Sequence, residues 1–322
     1  MKITLKNCSL VKTGLRIVLL SLTFVLGGLT SFSADFYWVG GTGNWSDFGT
    51  HWATTSGGGT FHSNAPTLAD DVYFDFSSYS LGDTVYVDVA ATCKDLNFQS
   101  GFGVLNQQAN LVCSGEIDIS NCKFYSNGFD ITAYAFDASF PSIFSRDLYF
   151  DTSIITITGD GTAWDIAENF QLTADFDSIE VHFTYPGTNP VSCNTGGQPV
   201  PYHQINVSTD DFTFTNYTKC DTIIVDPGVH LKITEGLTTK IEAQNVILIG
   251  TCGDRIKVSS TGSNPATIDV TGFSIVSDYV VLENISGVGT SLIANRSIDQ
   301  GGNSGWTINE DPSAIPYYWI NG

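Results

Sequence analysis

Basic residues are scarce in this sequence. It has 13 Lys and Arg against 33 Asp and Glu over 322 residues, a formal net charge of −20 at pH 7. Nucleic-acid binding rests on clustered Lys and Arg that neutralise phosphates. The shortage therefore excludes nucleic acid as the expected partner. The aspartates are spread along the chain without long runs, and we interpret most of them as solvated loop residues.

Several signatures of catalytic and metal sites are also missing. No Cys-x-x-Cys pair occurs and the five histidines are scattered, so no zinc site is expected. There is no Gly-x-Ser-x-Gly elbow of a serine hydrolase. The glycine-rich run Gly40-Gly41-Thr42-Gly43 leads into Asn-Trp-Ser, not into a helix with lysine, which excludes a phosphate-binding loop. We predict no cofactor, and calcium between aspartate-bearing turns remains an unlocalised alternative.

The longest apolar run lies at the N-terminus and predicts a signal peptide over residues 1–33. Four basic residues precede an apolar stretch at 17–29, and small residues at Ser31 and Ser33 precede Ala34. The stretch falls short of the ~20 residues that span a bilayer. We therefore expect cleavage after Ser33, a secreted or surface location, and membrane contact only through the cleaved segment. Cleavage takes Lys and Arg from 13 to 9 against 33 acidic residues, a net charge near −24.

Six of the seven cysteines follow the predicted cleavage site. In an exported chain an even count permits up to three disulfides, with 15 possible pairings. The alternative is a set of buried thiols in a stacked fold. The sequence leaves the pairing open among Cys93, Cys113, Cys122, Cys193, Cys220 and Cys252.

From about residue 71 onward the sequence consists of short β-rich runs separated by Gly, Asn, Asp and Ser. Residues 84–89, 154–158 and 279–282 are examples, with alternating apolar and polar residues and many β-branched side chains. No amphipathic helix of 10 or more residues is evident after the signal peptide. The pattern predicts an all-β fold, either a sandwich or barrel, or a solenoid.

The spacing of the runs favours the solenoid. Many are three to six residues long, and Asn and Gly recur where a stacked coil must turn. Hairpin signals are few, with Asn127-Gly128 and Asp160-Gly161 the clearest. We predict a parallel β-helix of about 10 coils over 71–311, each of 20 to 25 residues. A carbohydrate-binding β-sandwich is the alternative, and it would require antiparallel pairing.

An aromatic, glycine-rich motif precedes these runs, within residues 34–70. It holds three of the six tryptophans, Trp38, Trp45 and Trp52, each seven residues from the next. We interpret it as a cap that covers one end of the solenoid. The second interpretation is glycan binding, in which these tryptophans and Tyr37 stack on sugar rings.

The end of the sequence repeats the start of this motif. Tyr317-Tyr318-Trp319-Ile320-Asn321-Gly322 is similar to Phe36-Tyr37-Trp38-Val39-Gly40-Gly41. Residues 312–322 are therefore predicted to begin a following repeat, so that the chain is either a fragment of a longer polypeptide or the product of a truncated reading frame.

The motif also carries a family resemblance. Tyr37-Trp38-Val39-Gly40-Gly41-Thr42-Gly43-Asn44-Trp45-Ser46-Asp47, with Asp70-Asp71-Val72-Tyr73-Phe74-Asp75 and Asn303-Ser304-Gly305-Trp306, resembles the recurring module of large exported adhesin-like proteins of the Bacteroidota. The resemblance implies right-handed parallel β-helices repeated in tandem, further modules of the same polypeptide as partners, and the surface of a Gram-negative bacterium. The family brings no established catalytic residues.

Parallel β-helices also serve as polygalacturonases and pectin lyases, so an enzyme is the second hypothesis. Asp210-Asp211, Gly228-Val229-His230 and Arg255-Ile256-Lys257 follow the order of the polygalacturonase signature. The upstream Asn-Thr-Asp is missing, and His230 lacks its flanking glycines. The weak catalytic candidates are thus Asp210, Asp211, His230 and Lys257.

A lyase would instead need a basic residue beside calcium-binding carboxylates. The candidates for that base are Arg146, Arg255 and Lys257. We favour neither enzyme. The expected function is a non-enzymatic exported module, structural or adhesive, with glycans or cell-surface proteins as partners.

Overall fold

A computed structural model of the chain describes residues 33–98, 103–119, 122–139, 146–166, 172–196, 201–236 and 240–310. The predicted signal peptide, apart from its last residue, and the predicted repeat start at 312–322 lie outside these residues. The chain divides into two compact units, Met1–Ala34 and Asp35–Gly322, and every described strand lies in the second. None of the described helices is long and apolar enough to cross a bilayer.

The described residues are organised as strands, most of them short, with one four-residue helix. In the first part these are β1 (Asp35–Trp38), β2 (Gly43–Asn44), α1 (Phe48–His51), β3 (Trp52–Ala53), β4 (Asp71–Phe74), β5 (Thr84–Val87), β6 (Ala91–Cys93), β7 (Leu96–Phe98), β8 (Val104–Gln107), β9 (Leu111–Cys113), β10 (Glu116–Ile119), β11 (Lys123–Tyr125), β12 (Ile131–Ala133), β13 (Ala135–Asp137), β14 (Arg146–Tyr149), β15 (Ile154–Ile157), β16 (Gly161–Asp165), β17 (Leu172–Asp175) and β18 (Glu180–Phe183). The later strands are β19 (Val191–Asn194), β20 (Tyr202–Val207), β21 (Asp211–Phe214), β22 (Thr218–Val225), β23 (His230–Ile233), β24 (Lys240–Leu248), β25 (Ile256–Ser260), β26 (Ala266–Asp278), β27 (Val280–Glu283), β28 (Ile285–Asp299) and β29 (Thr307–Glu310).

The strands stack into three parallel ladders. Ladder 1 contains β1, β4, β7, β10, β13, β16, β19, β21, β23, β25, β27 and the end of β28. Ladder 2 contains β2, β5, β8, β11, β14 and β17. Ladder 3 contains β6, β9, β12, β15, β18, β20, β22, β24, β26, β28 and β29.

This pairing defines a parallel β-solenoid, which confirms the predicted fold class. Among the described strands only β1 and β3 pair antiparallel. In-register partners on successive rungs of ladder 1 lie 19 residues apart at Ile117–Phe136 and 29 apart at Trp164–Cys193. A carbohydrate-binding sandwich built of antiparallel sheets is therefore not the fold of this chain.

Alternation of side chains explains why these runs form strands around one core. In β10, Ile117 and Ile119 are buried, whereas Glu116 and Asp118 point outward. Successive strand residues face opposite sides, so the inward set of every rung meets the inward sets of the rungs beside it. Burial of each large apolar side chain contributes about 1.5–3 kcal/mol. The core is thus one continuous column inside the ladders.

Turns at the corners connect one ladder to the next. Asn127 (φ 52°) and Gly128 (φ 78°) adopt left-handed backbone angles between β11 and β12. Asn tolerates this region better than other non-glycine residues, because its short side chain bonds locally. The two strands lie in different ladders and do not pair. The Asn-Gly signal therefore marks a corner of the solenoid, not a hairpin.

Candidate functional site

The tryptophans of the N-terminal motif form a buried aromatic cluster. Trp38 and Trp52 are 0 % exposed, and Trp45 is 1 % exposed. The ring of Trp52 meets those of Trp38 and Trp45 edge to face, with centroid distances of 4.9 and 4.8 Å. Its Nε1 donates a hydrogen bond of 2.8 Å to the carbonyl oxygen of Trp45. Phe74 of β4 packs on Trp52 from the next rung at 5.7 Å.

The glycines of the motif allow this packing. Gly40 (φ 90°) and Gly41 (φ 78°) turn the chain with left-handed backbone angles. A Cβ on Gly43 would lie 2.6 Å from Nε2 of His51, and the His51 ring stacks on Trp38 at 4.6 Å. Any larger residue at position 43 would displace that ring. The glycines therefore serve the cluster's packing.

The burial bears directly on the glycan-stacking hypothesis. The three indole rings have no face available to a sugar, so packing of the cap accounts for all of them. Tyr37 differs, since it lies on the outer side of β1 and is half-buried, with its ring stacked on Tyr73 at 4.9 Å. Sugar stacking by the motif remains a hypothesis for Tyr37 alone.

Three of the four weak catalytic candidates lie together on the outer face of ladder 1. Asp211 is in register with His230 on the next rung, and His230 is in register with Lys257 on the one after. Rungs are ~4.8 Å apart, so Asp211 and Lys257 are separated by about 10 Å along the ladder. Asp210 is exposed in the turn before β21, and its carbonyl oxygen accepts a 2.7 Å hydrogen bond from the His230 amide.

Each member of this column is engaged by a polar partner one rung further on. Lys232 Nζ lies 2.7 Å from Asp211 Oδ2, and Lys257 Nζ lies 2.8 Å from Glu283 Oε2. His230 Nε2 lies 2.8 Å from Ser259 Oγ. Burial, and then the charges of Lys232 and Lys257, lower the pKa of His230. His230 is therefore held neutral in this surface network at pH 7.

The spacing of carboxylates does not match that of a glycoside hydrolase. An inverting hydrolase holds its two carboxyl groups about 6.5–9.5 Å apart, and a retaining one about 5–5.5 Å. In this column Asp211 is followed by His230, Lys257 and Val281, and the carboxylate of Glu283 lies on that third rung, two residues to the side and about 14 Å from Asp211 along the ladder. The two rungs between them carry His230 and Lys257 instead. The column follows the residue order of the polygalacturonase signature. It does not place a second carboxylate at a distance from Asp211 that would flank a glycosidic bond.

The three candidates for a lyase base do not converge. Arg146 is 0 % exposed inside the solenoid, where its guanidinium donates a hydrogen bond to the Ala138 carbonyl. Arg255 packs its guanidinium over the ring of Tyr279 at 5.2 Å. Lys257 is paired with Glu283. An interior arginine cannot meet a polysaccharide, so Arg146 is excluded as a surface base.

A groove on the outer face of ladder 3 was not anticipated from the sequence. A pocket of about 200 Å³ opens over β22, β24 and β26. It forms because each strand breaks its alternation at the same place: Asp221-Thr222, Gln244-Asn245 and 271–274 all face outward in succession. Two consecutive outward residues bend a strand, and the bends align because the strands are in register.

One wall of the groove is an ion-pair network. Lys219, Glu242 and Asp269 lie in register on successive rungs. Lys240 Nζ is 3.0 Å from both Glu242 Oε2 and Asp269 Oδ2, and Lys219 Nζ is 3.3 Å from Glu242 Oε1. The Tyr217 hydroxyl donates a 2.8 Å hydrogen bond to Glu242. The wall is fixed by these contacts.

The opposite wall and the rim carry different chemistry. The Gln244 amide donates to the Asp221 carboxylate, which also lies 3.6 Å from His203 Nδ1. Phe273 lies at the rim and is 46 % exposed. The groove thus combines amides, carboxylates, a lysine and one aromatic face. Pockets that bind small ligands commonly combine a few convergent polar groups with aromatic side chains.

The pKa values of three ionisable groups at the groove are shifted further from pH 7. The hydrogen bond from Lys240 lowers the pKa of Glu242. Burial raises the pKa of Asp269, but hydrogen bonds from Thr271 and Lys240 outweigh it, and the net pKa is lowered. Burial and the bond to Glu242 raise the pKa of Tyr217 to about 12. Glu242 and Asp269 are thus ionised and Tyr217 is protonated at pH 7, so none of the three is tuned as an acid–base catalyst.

Within the described ranges, no three His, Cys, Asp or Glu side chains come together as a metal-ligand set. Comparison with protein-family models, curated proteins and solved structures found no match to this chain. What the fold and its surfaces define is a parallel β-solenoid with a buried aromatic cluster at its N-terminal end and a polar groove on ladder 3.

Proposed function

We propose that this chain is a non-enzymatic exported module, with a structural or adhesive role in a longer surface protein, and that the groove on ladder 3 is its contact surface. The groove carries this proposal. It is concave, spans three rungs, and combines fixed polar groups with the exposed ring of Phe273. Its ionised side chains are paired with one another in ion pairs and hydrogen bonds, an arrangement that suits recognition of a partner better than proton transfer.

The charge of the groove restricts the class of saccharide that it can bind. Its lining has one lysine, Lys219, against the carboxylates of Asp221, Glu242 and Asp269. The whole chain carries a net charge of −20. Like charge disfavours an anionic polymer such as polygalacturonate. A neutral or amino-bearing saccharide fits better, because its hydroxyl and amino groups can bond to carboxylates and amides while a sugar face packs on Phe273.

Calorimetric titration of the full chain with three oligosaccharides tests the groove. Chito-oligosaccharides freed of acetyl groups provide the amino-bearing probe, cello-oligosaccharides the neutral one and oligogalacturonates the anionic one. We expect binding of the amino or neutral probe and none of the anionic one. Phe273→Ala should weaken binding about tenfold, since an aromatic contact contributes about 1.4 kcal/mol.

The matched control is Phe76→Ala, because Phe76 is 71 % exposed and lies outside the groove. It should leave affinity unchanged. Preferred binding of oligogalacturonate, equal loss in both variants, or no binding of any probe would each contradict the groove as a saccharide-contact surface.

The export part of the proposal rests on the N-terminal sequence. We expect the mature protein in the medium or at the surface of a Gram-negative bacterium to begin at Ala34. N-terminal sequencing of fractionated cells checks this. A cytoplasmic chain that retains residues 1–33 would contradict it.

A polysaccharide-active enzyme is the second candidate, favoured by the in-register column of Asp211, His230 and Lys257. In that case Asp211→Asn and His230→Ala would each abolish release of new reducing ends from a polysaccharide. The paired state of all three side chains and the missing second carboxylate favour the non-enzymatic module instead.

A further inference from the structure

Cys93 and Cys113 occupy matched inward positions on neighbouring rungs of ladder 3. Cys93 ends β6 and Cys113 ends β9, and the two are in register. Both side chains are buried, and their Sγ atoms lie 3.2 Å apart. Unbonded carbon atoms prefer separations of about 3.5–4.0 Å, and sulfur is larger. The two sulfurs are therefore closer than separate thiols favour.

We propose that Cys93 and Cys113 form a disulfide that joins two adjacent coils of the solenoid. In-register residues on neighbouring parallel strands are ~4.8 Å apart, within the 4.4–6.8 Å that Cα atoms span across disulfides. The bond therefore requires rotation of two side chains and no backbone movement. This inference goes beyond the proposed contact function and does not depend on it.

The pairing is specific to these two cysteines. Among the residues that the structure describes, no other two sulfur atoms are in contact. Cys193 lies in ladder 1 and Cys220 in ladder 3, Cys122 precedes β11, and Cys252 is exposed. The sequence allowed 15 pairings of six cysteines. The solenoid register brings one pair of the described cysteines, Cys93 and Cys113, into contact.

The oxidation is a dithiol–disulfide exchange with an external disulfide, such as oxidised glutathione. One thiolate attacks the external disulfide and releases a first thiol, and the second thiolate then attacks the mixed disulfide and releases the other. Two electrons pass from Cys93 and Cys113 to the oxidant, and their two protons end on the released thiols. The external disulfide breaks in the first step as the mixed disulfide forms, and the Sγ–Sγ bond forms in the second step as the mixed disulfide breaks.

The folded environment indicates when the exchange occurs. The hydrogen bond with Cys113, and then burial, raise the pKa of Cys93 well above its usual range. A buried thiol is a poor nucleophile, whereas an exposed one in the unfolded chain is partly ionised. Oxidation therefore belongs to folding, before the two coils close over the pair, and the completed bond is shielded from reductant.

Peptide mapping of the full chain tests the bridge. The protein is refolded with mixed oxidised and reduced glutathione, free thiols are alkylated, and a protease that cuts before aspartate is applied. This separates the three nearest cysteines into peptides 88–94, 95–117 and 118–129. We expect 88–94 linked to 95–117, with 118–129 alkylated. Alkylation of both 88–94 and 95–117, or a link from either to another peptide, would overturn the proposal.

Thermal unfolding supplies a second measurement. A bridge that closes a loop of about 20 residues should raise the melting temperature of the oxidised protein over the reduced one by about 5 °C. Cys93→Ala should remove this redox-dependent difference. Cys220→Ala, also buried in ladder 3, should keep it. Loss of the difference in both variants, or its survival in Cys93→Ala, would contradict the bridge. If Cys93→Ala does not fold, mapping of the unaltered chain still decides.

Discussion

Up to Phe214 the interior of the solenoid packs stacked aromatic rings among aliphatic side chains, and we call this the aromatic part, whereas the later part is filled by aliphatic side chains. Phe74 and Phe98 stack at 4.5 Å, and Phe176 and Tyr202 stack at 4.8 Å. After Phe214 the buried apolar residues that the structure describes are Ile, Val, Leu, Ala and Cys. The change of core coincides with a change in the strands around it.

In the aromatic part, strands β4 to β18 are three to five residues long and turns form the corners. Toward the later part the ladder 3 strands lengthen, from 6 residues in β20, just before Phe214, through 8 and 9 in β22 and β24 to 13 and 15 in β26 and β28. These strands continue through a corner by bending. The groove therefore depends on the long, bent strands of the later part, because a corner made by a turn leaves no aligned bends.

The largest expected effect comes from removing Trp52, the residue at the centre of the aromatic cluster. Trp52→Ala should lower the free energy of unfolding by about 3–5 kcal/mol, since a large buried ring is lost and the rigid neighbours cannot fill the space. Urea unfolding measures this. Leu81→Ala is the control, because Leu81 is 86 % exposed and its loss should cost under about 0.5 kcal/mol. Equal effects would show that the cluster does not hold the end of the solenoid.

A second test concerns the charge inside the aromatic part. Arg146 is fully buried, and its Nε and one Nη have no hydrogen-bond partner among the residues that the structure describes. Arg146→Met should raise the free energy of unfolding by about 2 kcal/mol, because an apolar side chain replaces an incompletely satisfied charge. Lys123→Met on β11, which breaks a surface pair with Asp147, should change it by under about 1 kcal/mol. Destabilisation by Arg146→Met would indicate that the guanidinium is satisfied in solution.

The aliphatic part should respond to a smaller change. Ile268→Val removes one methylene from a fully buried position on β26, with an expected cost of about 1 kcal/mol. Val276, an exposed residue of the same strand, changed to Ala, should have an effect below about 0.5 kcal/mol. The two urea midpoints check this. No difference between the variants would mean that the aliphatic core is loosely packed.

The smallest effect is the pH dependence of the groove. Because the hydrogen bond from Lys240 lowers the pKa of Glu242, the ionised carboxylate stabilises the fold above its ordinary value of 4.5, and this contribution is lost as pH falls through the lowered pKa. At pH 7 Glu242→Gln should be less stable than the unaltered protein by about 0.5 kcal/mol. The difference should vanish in acid.

Ionisation of Glu116 has the opposite effect on stability from ionisation of Glu242. Burial, and then the charges of Asp137 and Asp118, raise its pKa above 4.5, so its ionisation opposes folding. Glu116→Gln should therefore be neutral or slightly stabilising at pH 7. Parallel urea titrations at pH 7 and pH 3 measure both variants. A pH-independent difference for Glu242→Gln would contradict the ion-pair wall.

Much of the fold follows from local pattern. The predicted runs at 84–89, 154–158 and 279–282 correspond to β5, β15 and β27, because alternation with β-branched residues is itself the requirement of a rung. The parallel arrangement follows from the lack of equal strands joined by tight turns. The Asn-Gly and Asp-Gly pairs would have indicated hairpins in another fold, since a single turn does not define which strands pair.

The surfaces were harder to predict because they depend on register over long separations. Asp211, His230 and Lys257 meet although they lie 19 and 27 residues apart, and no fixed period links them. The groove had a local signal, the outward pairs Asp221-Thr222 and Gln244-Asn245 that interrupt alternation 23 residues apart. The tryptophans alone did not decide their burial, because the same ring suits a core or a sugar, but the position of their motif before the first strands favoured the cap that the structure shows.

An assay of the full chain on a panel of neutral, amino-bearing and anionic polysaccharides tests most directly whether this is a contact module or an enzyme. We expect the outer carboxylates to fix a contact surface and to catalyse no cleavage. New reducing ends and unsaturated products are measured after prolonged incubation with and without calcium. We predict that the chain binds at least one saccharide of the panel and that neither new reducing ends nor unsaturated products form. Cleavage that disappears in Asp211→Asn or His230→Ala would contradict the account and establish the outer face of ladder 1 as an active site.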